Sequence, residues 1–522
     1  MFGGAGKSGT DETAFVNARA VEIDSSGNLL VGQFSNATIK KFSSTTGQYL
    51  GTLVSSSEAP TQWTNDSTTV AEVYGFGDND FWNPTGSYSD GTYLYVIDGG
   101  NGRIKKIRSS DGVLIGYIGV VTSTPTDGAS PSCLTVNPMS FTSAWCLGAN
   151  SNPYWGIGDL TGNGGRIDGN LFVPVGITGD GTYLYVVDQG LHRINKFNAS
   201  TGAFVGWIGN ISQAPTGGAS GCTSATAGTF TPGWCTGGNS TLGSSDGMLY
   251  YPSSIVYVSA TGNLYVVDNL NHRVAAYNAS TGAFVGWIGR TLTAPSSGCI
   301  TASNGSYTVS TSGWCRGGTS QQASGPGDRG GGFSFWGTTL TWAATTNGIT
   351  SDGTYLYIAN YYNQRIDKYT LAGVWQGAVL TRWDQYTNVW SSTPATVAAW
   401  NTGGCGRPRG IWTDGTYIYG VGDIDCAYQS NAGTAIFKLQ ISTGNIRGWH
   451  GAINPASPSY TPTAGDAGCT GASISTPGWC QGGASLYNLK MGQFGDARNI
   501  TGDANYIYVT DMTTNRVTRI PK

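Results

Sequence analysis

Few residues in this chain could carry acid–base or metal chemistry. Its 522 residues include only three histidines, His192, His272 and His450, and four glutamates that all lie within the first 72 positions. Metal-dependent and general acid–base catalysis depend on clusters of histidine and carboxylate side chains. The H-E-x-x-H and phosphate-binding G-x-x-x-x-G-K-[ST] patterns are also absent from the sequence. We therefore predict that the protein is not an enzyme.

A cation site has one isolated candidate, the segment "GDNDFWNP" with Asp78 and Asp80. Calcium loops present carboxylates at alternate positions and close with a glutamate. Because this segment has only two carboxylates and no such glutamate, we predict no bound cofactor.

Aspartate and arginine recur at a fixed spacing of five residues. The pairs are Asp98 and Arg103, Asp188 and Arg193, Asp268 and Arg273, and Asp511 and Arg516. An active site needs different groups at one point, so a ring of identical pairs favours bracing of hairpin turns. His192 and His272 also occupy equivalent positions, which favours two turn histidines over two metal ligands.

The ten cysteines lie in pairs, and the sequence contains no C-x-x-C motif. This pattern favours disulfides formed in an oxidising compartment over zinc or redox sites. Four pairs are closely spaced, and whether the looser fifth pair forms stays open. The pairs are Cys133 and Cys146, Cys222 and Cys235, Cys299 and Cys315, Cys469 and Cys480, and Cys405 and Cys426.

A tryptophan directly precedes the second cysteine of each closely spaced pair: Trp145, Trp234, Trp314 and Trp479. Polar Gly/Ser/Thr loops bury too little apolar surface to order themselves, so each disulfide would act as the core of its loop. One interpretation is a rigid surface on which these tryptophans are contact residues. The alternative is that each tryptophan only seals its own loop against the domain.

Composition and charge narrow the class of partner. Charged residues are 11% of the chain and the formal net charge is -3, so we predict no nucleic acid or membrane partner. No apolar stretch is long enough for membrane insertion, and "MFGGAGKSGTDETAF" does not resemble a signal peptide. Eight Asn-x-Ser/Thr glycosylation candidates fit an exported protein. They are Asn36, Asn65, Asn198, Asn210, Asn239, Asn278, Asn304 and Asn499.

A repeated core of the form G-x-Y-x-Y-V-x-D occurs seven times. Each copy predicts about four strands of alternating polarity, and four strands repeated seven times indicate an all-β, seven-bladed β-propeller. We expect one domain over 1–522, with blades at 15–55, 80–120, 170–210, 250–290, 335–380, 405–450 and 493–522. The last blade lacks a fourth strand, which residues 1–8 would supply to close the ring or to join a neighbour's.

The excess length lies between blades, in inserts at 121–169, 211–247, 291–334 and 451–492. Each insert follows the fourth strand of one blade and precedes the first strand of the next. We therefore expect long, disulfide-closed loops on one face of the disc.

The repeat resembles the NHL repeat family. Asn271, His272 and Arg273 are similar to its signature, followed by Leu191, His192 and Arg193. The resemblance covers the seven cores, somewhat over half the chain, and implies a propeller. It also implies two enzyme alternatives, a lyase with an axial histidine-bound metal and a lactonase-like calcium enzyme. Three histidines and four glutamates do not supply those ligand sets.

The sequence therefore predicts a non-enzymatic, extracellular or cell-surface structural protein, a glycoprotein that self-assembles into a fibre, sheath or lattice. Its partners would be copies of itself or other cell-surface components. The alternatives are an adhesion module that binds glycans or peptides, and a metal-dependent lyase or lactonase-like enzyme.

Overall fold

The computed structural model describes residues 15–33, 38–53, 63, 75–78, 80–150, 168–299, 311–322, 333, 348–361, 363–380, 389–391, 407–423, 434–453, 462, 464–470, 475–481 and 494–522. These residues form β-strands and three short 3₁₀-helices, Gly99–Asn101, Pro131–Thr135 and Cys222–Ser224. No helix in the described ranges is long and apolar enough to span a membrane. The chain is all-β, as its composition predicts.

The described strands group into seven antiparallel sheets, which we number as blades 1 to 7 in chain order. Blade 1 comprises β1 (Ala18–Ile23), β2 (Asn28–Gln33), β3 (Thr38–Ser43) and β4 (Tyr49–Leu53). Blade 2 comprises β5 (Pro84–Ser89), β6 (Tyr93–Asp98), β7 (Arg103–Arg108), β8 (Leu114–Val121), β9 (Asp127–Gly128), β10 (Ser140–Phe141) and β11 (Cys146–Leu147). Blade 3 comprises β12 (Pro174–Gly179), β13 (Tyr183–Asp188), β14 (Arg193–Asn198), β15 (Phe204–Gln213), β16 (Gly217–Gly218), β17 (Cys235–Thr236) and β18 (Asn239–Thr241).

The remaining four blades repeat this plan with fewer additional strands. Blade 4 comprises β19 (Pro252–Val258), β20 (Asn263–Asp268), β21 (Arg273–Asn278), β22 (Phe284–Thr293) and β23 (Thr319–Gln321). Blade 5 comprises β24 (Ile349–Ser351), β25 (Tyr355–Asn360), β26 (Arg365–Thr370) and β27 (Trp375–Leu380). Blade 6 comprises β28 (Arg407–Thr413), β29 (Tyr417–Asp423), β30 (Thr434–Gln440), β31 (Ile446–His450), β32 (Ala464–Gly465) and β33 (Cys480–Gln481). Blade 7 comprises β34 (Ala497–Gly502), β35 (Tyr506–Asp511) and β36 (Arg516–Pro521).

The turn between the first two strands of a blade is set by its "D-G-T-Y" sequence. In blade 3, one carboxylate oxygen of Asp180 accepts hydrogen bonds from the backbone N–H groups of Thr182 and Tyr183. Gly181 has φ +88°, a left-handed value that glycine adopts without strain. The aspartate and glycine together reverse the chain and fix the register of β12 against β13.

The first strands of successive blades contact one another around a ring. β1 contacts β5, β5 contacts β12, β12 contacts β19, and β19 contacts β24. The series continues through β28 and β34, and β34 contacts β1. Seven antiparallel sheets whose first strands meet in a ring form a β-propeller.

The hydrophobic core lies between adjacent blades. One cluster joins Val187 and Ile194 of blade 3 to Leu264 and Val266 of blade 4. Strand alternation places one side chain in two on each face of a sheet, so every sheet buries apolar groups against both neighbours. The propeller is thus stabilised at its inter-blade interfaces.

The described parts of the inserts differ from the expected free loops on one face. In blade 3, β17 pairs with β15, and β16 pairs with β17, so the insert continues the sheet outward. The same order, with additional strands beyond the fourth, recurs in blades 2 and 6. Without the insert, the backbone N–H and C=O groups at the outer edge of the fourth strand would be unpaired. Pairing with the insert satisfies these groups, which explains why the insert lies along the fourth strand.

The predicted closing strand, residues 1–8, lies outside the described residues. The chain nevertheless brings its two ends together. Phe15 and Ala18 pack with Tyr508 and Val517 of blade 7, and the N–H of Asn17 donates to the Asn515 side chain at 2.9 Å.

Candidate functional site

The repeated aspartate–arginine pairs lie at the turn between the second and third strands. Arg103 Nε donates to Asp98 Oδ2 at 2.7 Å, and neither side chain is exposed. The other guanidinium N–H groups of Arg103 donate to the carbonyl oxygens of Phe76, Gly77 and Asp80. The arginine therefore ties the turn to the segment that enters the same blade, which is a structural role.

Blade 4 repeats this arrangement with Arg273 and Asp268 at 2.8 Å. In blade 5 the carboxylate comes from another position: Asn360 replaces the aspartate, and Asp367 binds Arg365 at 3.0 Å. Asn360 Nδ2 also donates to Asp367 at 2.7 Å. A buried guanidinium without a carboxylate is costly, so the charge balance is kept even where the sequence changes.

The histidines are part of turns and interfaces. His192 and His272 directly precede the turn arginines and have φ of 53° and 50°, the left-handed conformation of that position. His450 lies in β31, where Nδ1 is 3.1 Å from the Thr476 hydroxyl. Burial lowers the pKa of all three histidines to about 4. No three His, Cys, Asp or Glu residues in the described part of the chain are grouped so that they could hold a metal ion.

The carboxylates of Asp78 and Asp80, the candidate cation ligands, accept hydrogen bonds from backbone N–H groups. Both carboxylate oxygens of Asp78 accept the N–H of Gly148, and burial raises the pKa of Asp78. Lys105 Nζ donates to the backbone carbonyl oxygens of both residues, not to their carboxylates.

The chain also contains one G-x-S-x-G match, residues 243–247. In nucleophilic hydrolases this motif lies on a strand-to-helix turn. Here Ser245 is part of the loop before β19, and its carbonyl oxygen accepts a hydrogen bond from Arg273. The motif therefore lies outside the context that its chemistry requires.

Six tryptophans join each blade to the next, and we call them the inter-blade tryptophans. Each follows the fourth strand of its own blade, and its indole Nε1–H donates to a carbonyl oxygen at the end of the third strand of the following blade. The bonds are 2.7–3.3 Å long. They join Trp63 to Ser109, Trp145 to Ala199, Trp234 to Ala279, Trp314 to Leu371, Trp390 to Ile441 and Trp479 to Pro521.

A lysine of the third strand reaches the same carbonyl oxygens. Lys196 Nζ donates to Ala279 O at 2.9 Å, and the Tyr185 hydroxyl donates to it at 3.2 Å. The ammonium group lies 4.0 Å from the ring centroid of Tyr183. Burial lowers the pKa of Lys196 to about 8, and the charge of Asp180 opposes this shift. Lys106 makes the corresponding contacts to Ala199 O and Tyr93.

Between blades 7 and 1 the connection is made by Arg519, whose guanidinium donates to the carbonyl oxygens of Ser44 and Thr45. Every interface of the ring thus has a cationic or indole donor that bonds to the third-strand end of the following blade.

Four disulfides close the loops that carry four of these tryptophans. They join Cys133 to Cys146, Cys222 to Cys235, Cys299 to Cys315 and Cys469 to Cys480. Cys405 and Cys426 lie outside the described residues. Because each tryptophan directly precedes a bridged cysteine, the disulfide holds the indole against the following blade.

A glycine in the fourth strand allows this close packing. Gly206 has φ +158°, and a Cβ there would lie 2.9 Å from the backbone carbon of Trp234. At Gly116 a Cβ would lie 2.6 Å from the same atom of Trp145. The repeated "G-W-I-G" strand therefore needs its first glycine for the tryptophan segment to approach.

These positions favour the second interpretation of the tryptophans, in which each one seals its own loop against the propeller. Trp145, Trp234 and Trp479 are 0%, 5% and 7% exposed, and Trp314 is half-buried. The indole is the main apolar group of a Gly/Ser/Thr-rich loop. Its burial against the neighbouring blade therefore contributes most of the hydrophobic stabilisation that the loop can gain. The adhesion alternative, which relied on exposed Trp and Tyr, loses three of these four indoles as exposed contact residues.

The glycosylation candidates differ in the contacts that their asparagine side chains make. Asn210 is 6% exposed and its Nδ2 donates to Leu242 O, so this sequon is not accessible. Asn198 and Asn278 accept backbone N–H groups in equivalent turns. Asn239 and Asn499 accept the N–H of the next residue. The other three candidates, Asn36, Asn65 and Asn304, lie outside the described residues.

Seven large apolar side chains in the described part of the chain are exposed, and four of them lie in the inserts that follow blades 2, 3 and 4. Leu134, Met139, Leu242 and Leu292 are 54%, 50%, 46% and 62% exposed. We call these four residues the insert surface. The disulfide loops, their added strands and the inter-blade tryptophans hold the backbone beneath it, so this surface is the best candidate for contact with a partner.

Comparisons with known proteins add little. No protein-family model and no curated protein matches the chain, so the NHL resemblance stays a prediction. Similar solved structures include virginiamycin B lyase from Staphylococcus aureus, at 11% identity and TM-score 0.42, covering 97% of this chain and 95% of that one. A streptogramin B lyase has 10% identity, TM-score 0.42 and coverages of 97% and 93%. Kuenenia stuttgartiensis hydrazine synthase has 9% identity, TM-score 0.42 and coverages of 97% and 96%. Similarity at this level carries no functional argument, and the propeller assignment stands on the sheet topology.

Proposed function

We propose that this protein is an exported, NHL-like propeller that acts without catalysis, as a structural or interaction protein of the cell exterior. Its partners are copies of itself, joined through the insert surface into a fibre, sheath or lattice. Four disulfides support a place in an oxidising compartment.

The observation that carries this proposal is the exposure of Leu134, Met139, Leu242 and Leu292 on inserts that are otherwise held rigid. Isolated exposed apolar residues need no explanation, but four of them on the inserts of three neighbouring blades favour a contact surface. A rigid surface loses little conformational entropy when it binds, which favours association.

Self-association is favoured because the insert plan recurs around the ring. Blades 2 and 3 both carry a disulfide loop paired to the fourth strand. A surface patch that meets a different patch on the next molecule makes a heterologous contact, and such contacts build filaments unless they close. The low charge of the chain, 11% of residues, limits electrostatic repulsion between copies.

The test is electron microscopy and light scattering of the native, unreduced protein over a wide concentration range. We expect filaments, sheets or ordered oligomers that grow with concentration. Single propellers at every concentration would contradict the proposal.

Single substitutions test whether the insert surface makes the contact between copies. Leu292→Asp and Leu134→Asp should shift the protein towards single propellers, because a buried, unpaired carboxylate opposes the contact. Thr182→Asp adds the same charge at an exposed turn of blade 3 and should leave assembly unchanged. Equal behaviour of all three variants would place the contact elsewhere on the molecule.

A further inference from the structure

The third strand ends with an asparagine in blades 3 and 4, Asn198 and Asn278. In both blades the side-chain oxygen, Oδ1, holds the turn that leads to the fourth strand. It accepts the N–H of Thr201 at 2.8 Å in blade 3 and the N–H of Thr281 at 2.9 Å in blade 4. Only the carbonyl half of the side-chain amide therefore stabilises the turn.

The corresponding turn does not need an asparagine in other blades. Ser43 ends the third strand of blade 1 and Thr370 ends that of blade 5. The Ser43 hydroxyl accepts the N–H of Thr46 at 3.2 Å, and the Thr370 hydroxyl accepts the N–H of Val374 at 3.1 Å. A serine or threonine hydroxyl can therefore supply the acceptor. The asparagines of blades 3 and 4 add a side-chain NH₂ group that the turn does not use.

This NH₂ group is available for modification. The side chains of Asn198 and Asn278 are half-buried, and within the described part of the chain their hydrogen bonds use Oδ1 and not Nδ2. Each asparagine begins an Asn-Ala-Ser sequence whose serine, Ser200 or Ser280, is exposed. Asn-x-Ser is an acceptor sequence for N-glycosylation. A glycan on Nδ2 would leave Oδ1 in place to hold the turn.

The sequons at Asn210 and Asn499 lack these properties. Asn210 is 6% exposed and its Nδ2 donates to Leu242 O at 2.7 Å, so a glycan would break this bond and force the residue out. Asn499 lies in β34, one of the first strands that form the inner ring. A Cβ at Gly410, the equivalent position in blade 6, would lie 2.7 Å from Arg498 O of the next blade. The position therefore faces a neighbouring strand, where a glycan does not fit.

We propose that the native protein carries N-linked glycans on Asn198 and Asn278, and none on Asn210 or Asn499. The sugar comes from a glycosyl phosphate donor of the exporting cell. A bond forms between Nδ2 and the anomeric carbon of the sugar, the bond from that carbon to the donor phosphate breaks, and the amide proton leaves with the phosphate. This inference rests on export, which is part of the proposed function, and does not rest on self-association.

Both glycans would lie away from the insert surface. Asn278 precedes the start of β22, a strand of ten residues and about 33 Å, and Leu292 lies near its other end. In blade 3, Asn198 precedes β15, and β18, which leads to Leu242, pairs with the far end of that strand. Glycosylation would therefore cover one end of these two blades and leave the other end available for contact.

The test is mass spectrometry of peptides from the full chain, purified from the cells that make it. Chymotrypsin separates the sites, because an aromatic residue directly precedes both Asn198 and Asn278. Electron-transfer fragmentation keeps a glycan on its residue, so the modified asparagine is identified whatever the sugar is. We expect a glycan at these two positions and unmodified asparagine at Asn210 and Asn499.

Two variants remove the sequons without changing the Oδ1 acceptors. Ser200→Ala and Ser280→Ala should each lose the glycan at one site and lower the intact mass by one glycan. Ser212→Ala is the matched control, because it removes the Asn210 sequon at another exposed serine. Its intact mass should fall only by the serine oxygen.

A native protein without a glycan at Asn198 or Asn278, or with one at Asn210 or Asn499, would overturn the proposal. Assembly is measured separately by electron microscopy. Filaments of unglycosylated protein would therefore refute this inference alone, and single glycosylated propellers would support it while refuting the proposed assembly.

Discussion

Replacing Trp234 with phenylalanine should loosen blade 3 from blade 4 without unfolding either. The indole is 5% exposed and its Nε1–H donates to Ala279 O at 3.1 Å across the interface. Phenylalanine keeps an aromatic ring in the cavity but has no donor. Ala279 O keeps its bonds from Lys196 and Tyr185, so no buried acceptor is left unsatisfied.

The magnitude follows from two losses. A neutral hydrogen bond contributes about 1 kcal/mol net to stability. The smaller ring gives up roughly 1 kcal/mol of apolar burial. The sum, about 2 kcal/mol, corresponds to a roughly thirtyfold increase in the population of the locally opened state.

Hydrogen exchange measured by mass spectrometry resolves this effect by segment. The amide groups of Asn278, Ala279 and Gly282 are hydrogen-bonded in the turn that receives the indole. We expect these amides to exchange about thirtyfold faster in the Trp234→Phe variant.

Trp207→Phe is the matched control, because Trp207 is fully buried and its Nε1–H donates to Gly237 O within its own blade at 3.0 Å. Exchange in residues 278–283 should stay unchanged in this control. If both variants accelerated exchange there equally, or if Trp234→Phe left it unchanged, the inter-blade role would be refuted.

Three further predictions concern buried charge. Burial raises the pKa of Glu22 to about 8, so stability should fall by roughly 2–4 kcal/mol as pH rises from about 4.5 to about 8, and Glu22→Gln should remove this loss in urea unfolding at several pH values. Burial lowers the pKa of His450 to about 4, so its contribution is present above about 6.5 and is lost as pH falls towards 4; His450→Gln should reduce the fall in Tm over that window. Asp268→Asn should cost about 3–5 kcal/mol by leaving Arg273 buried without its carboxylate, whereas Asp111→Asn at the exposed pair should cost under about 1 kcal/mol, both measured as urea midpoints.

The blade core could be predicted from the sequence because its determinants are local. Alternation of polarity, the D-G-T-Y turn and the four-strand period all act within about 40 residues. The pairing of the closely spaced cysteines is local too, with sequence separations of 11–16 residues. The sequence of one repeat is therefore enough to predict the fold of its own blade.

Contacts between blades could not be predicted in the same way. Trp145 and Ala199 are 54 residues apart, and only the ring geometry brings them together. Trp63 and Trp390 have no following cysteine that would mark them in the sequence, although Gly51 and Gly377 precede them as Gly206 precedes Trp234. A lysine three residues after the turn arginine of blades 2, 3 and 5, as in Arg193 and Lys196, is a further visible signal.

One departure from the repeat removes two oppositely charged side chains together. In blade 4, Ala276 stands where blade 3 has Lys196, and Thr261 stands where it has Asp180. Both members of the pair are missing together, and Thr261 keeps a hydroxyl contact of 3.0 Å to Tyr265, so this change leaves the interface neutral.

Selection for stability favours neutral exchanges such as the one in blade 4, since uncompensated charge in a partly buried site is destabilising. Loss of Asp180 alone would leave the buried lysine without its nearby carboxylate, and loss of Lys196 alone would leave the carboxylate without its cation. The paired change at Ala276 and Thr261 avoids both costs, so the repeat can vary at this interface without a charge penalty.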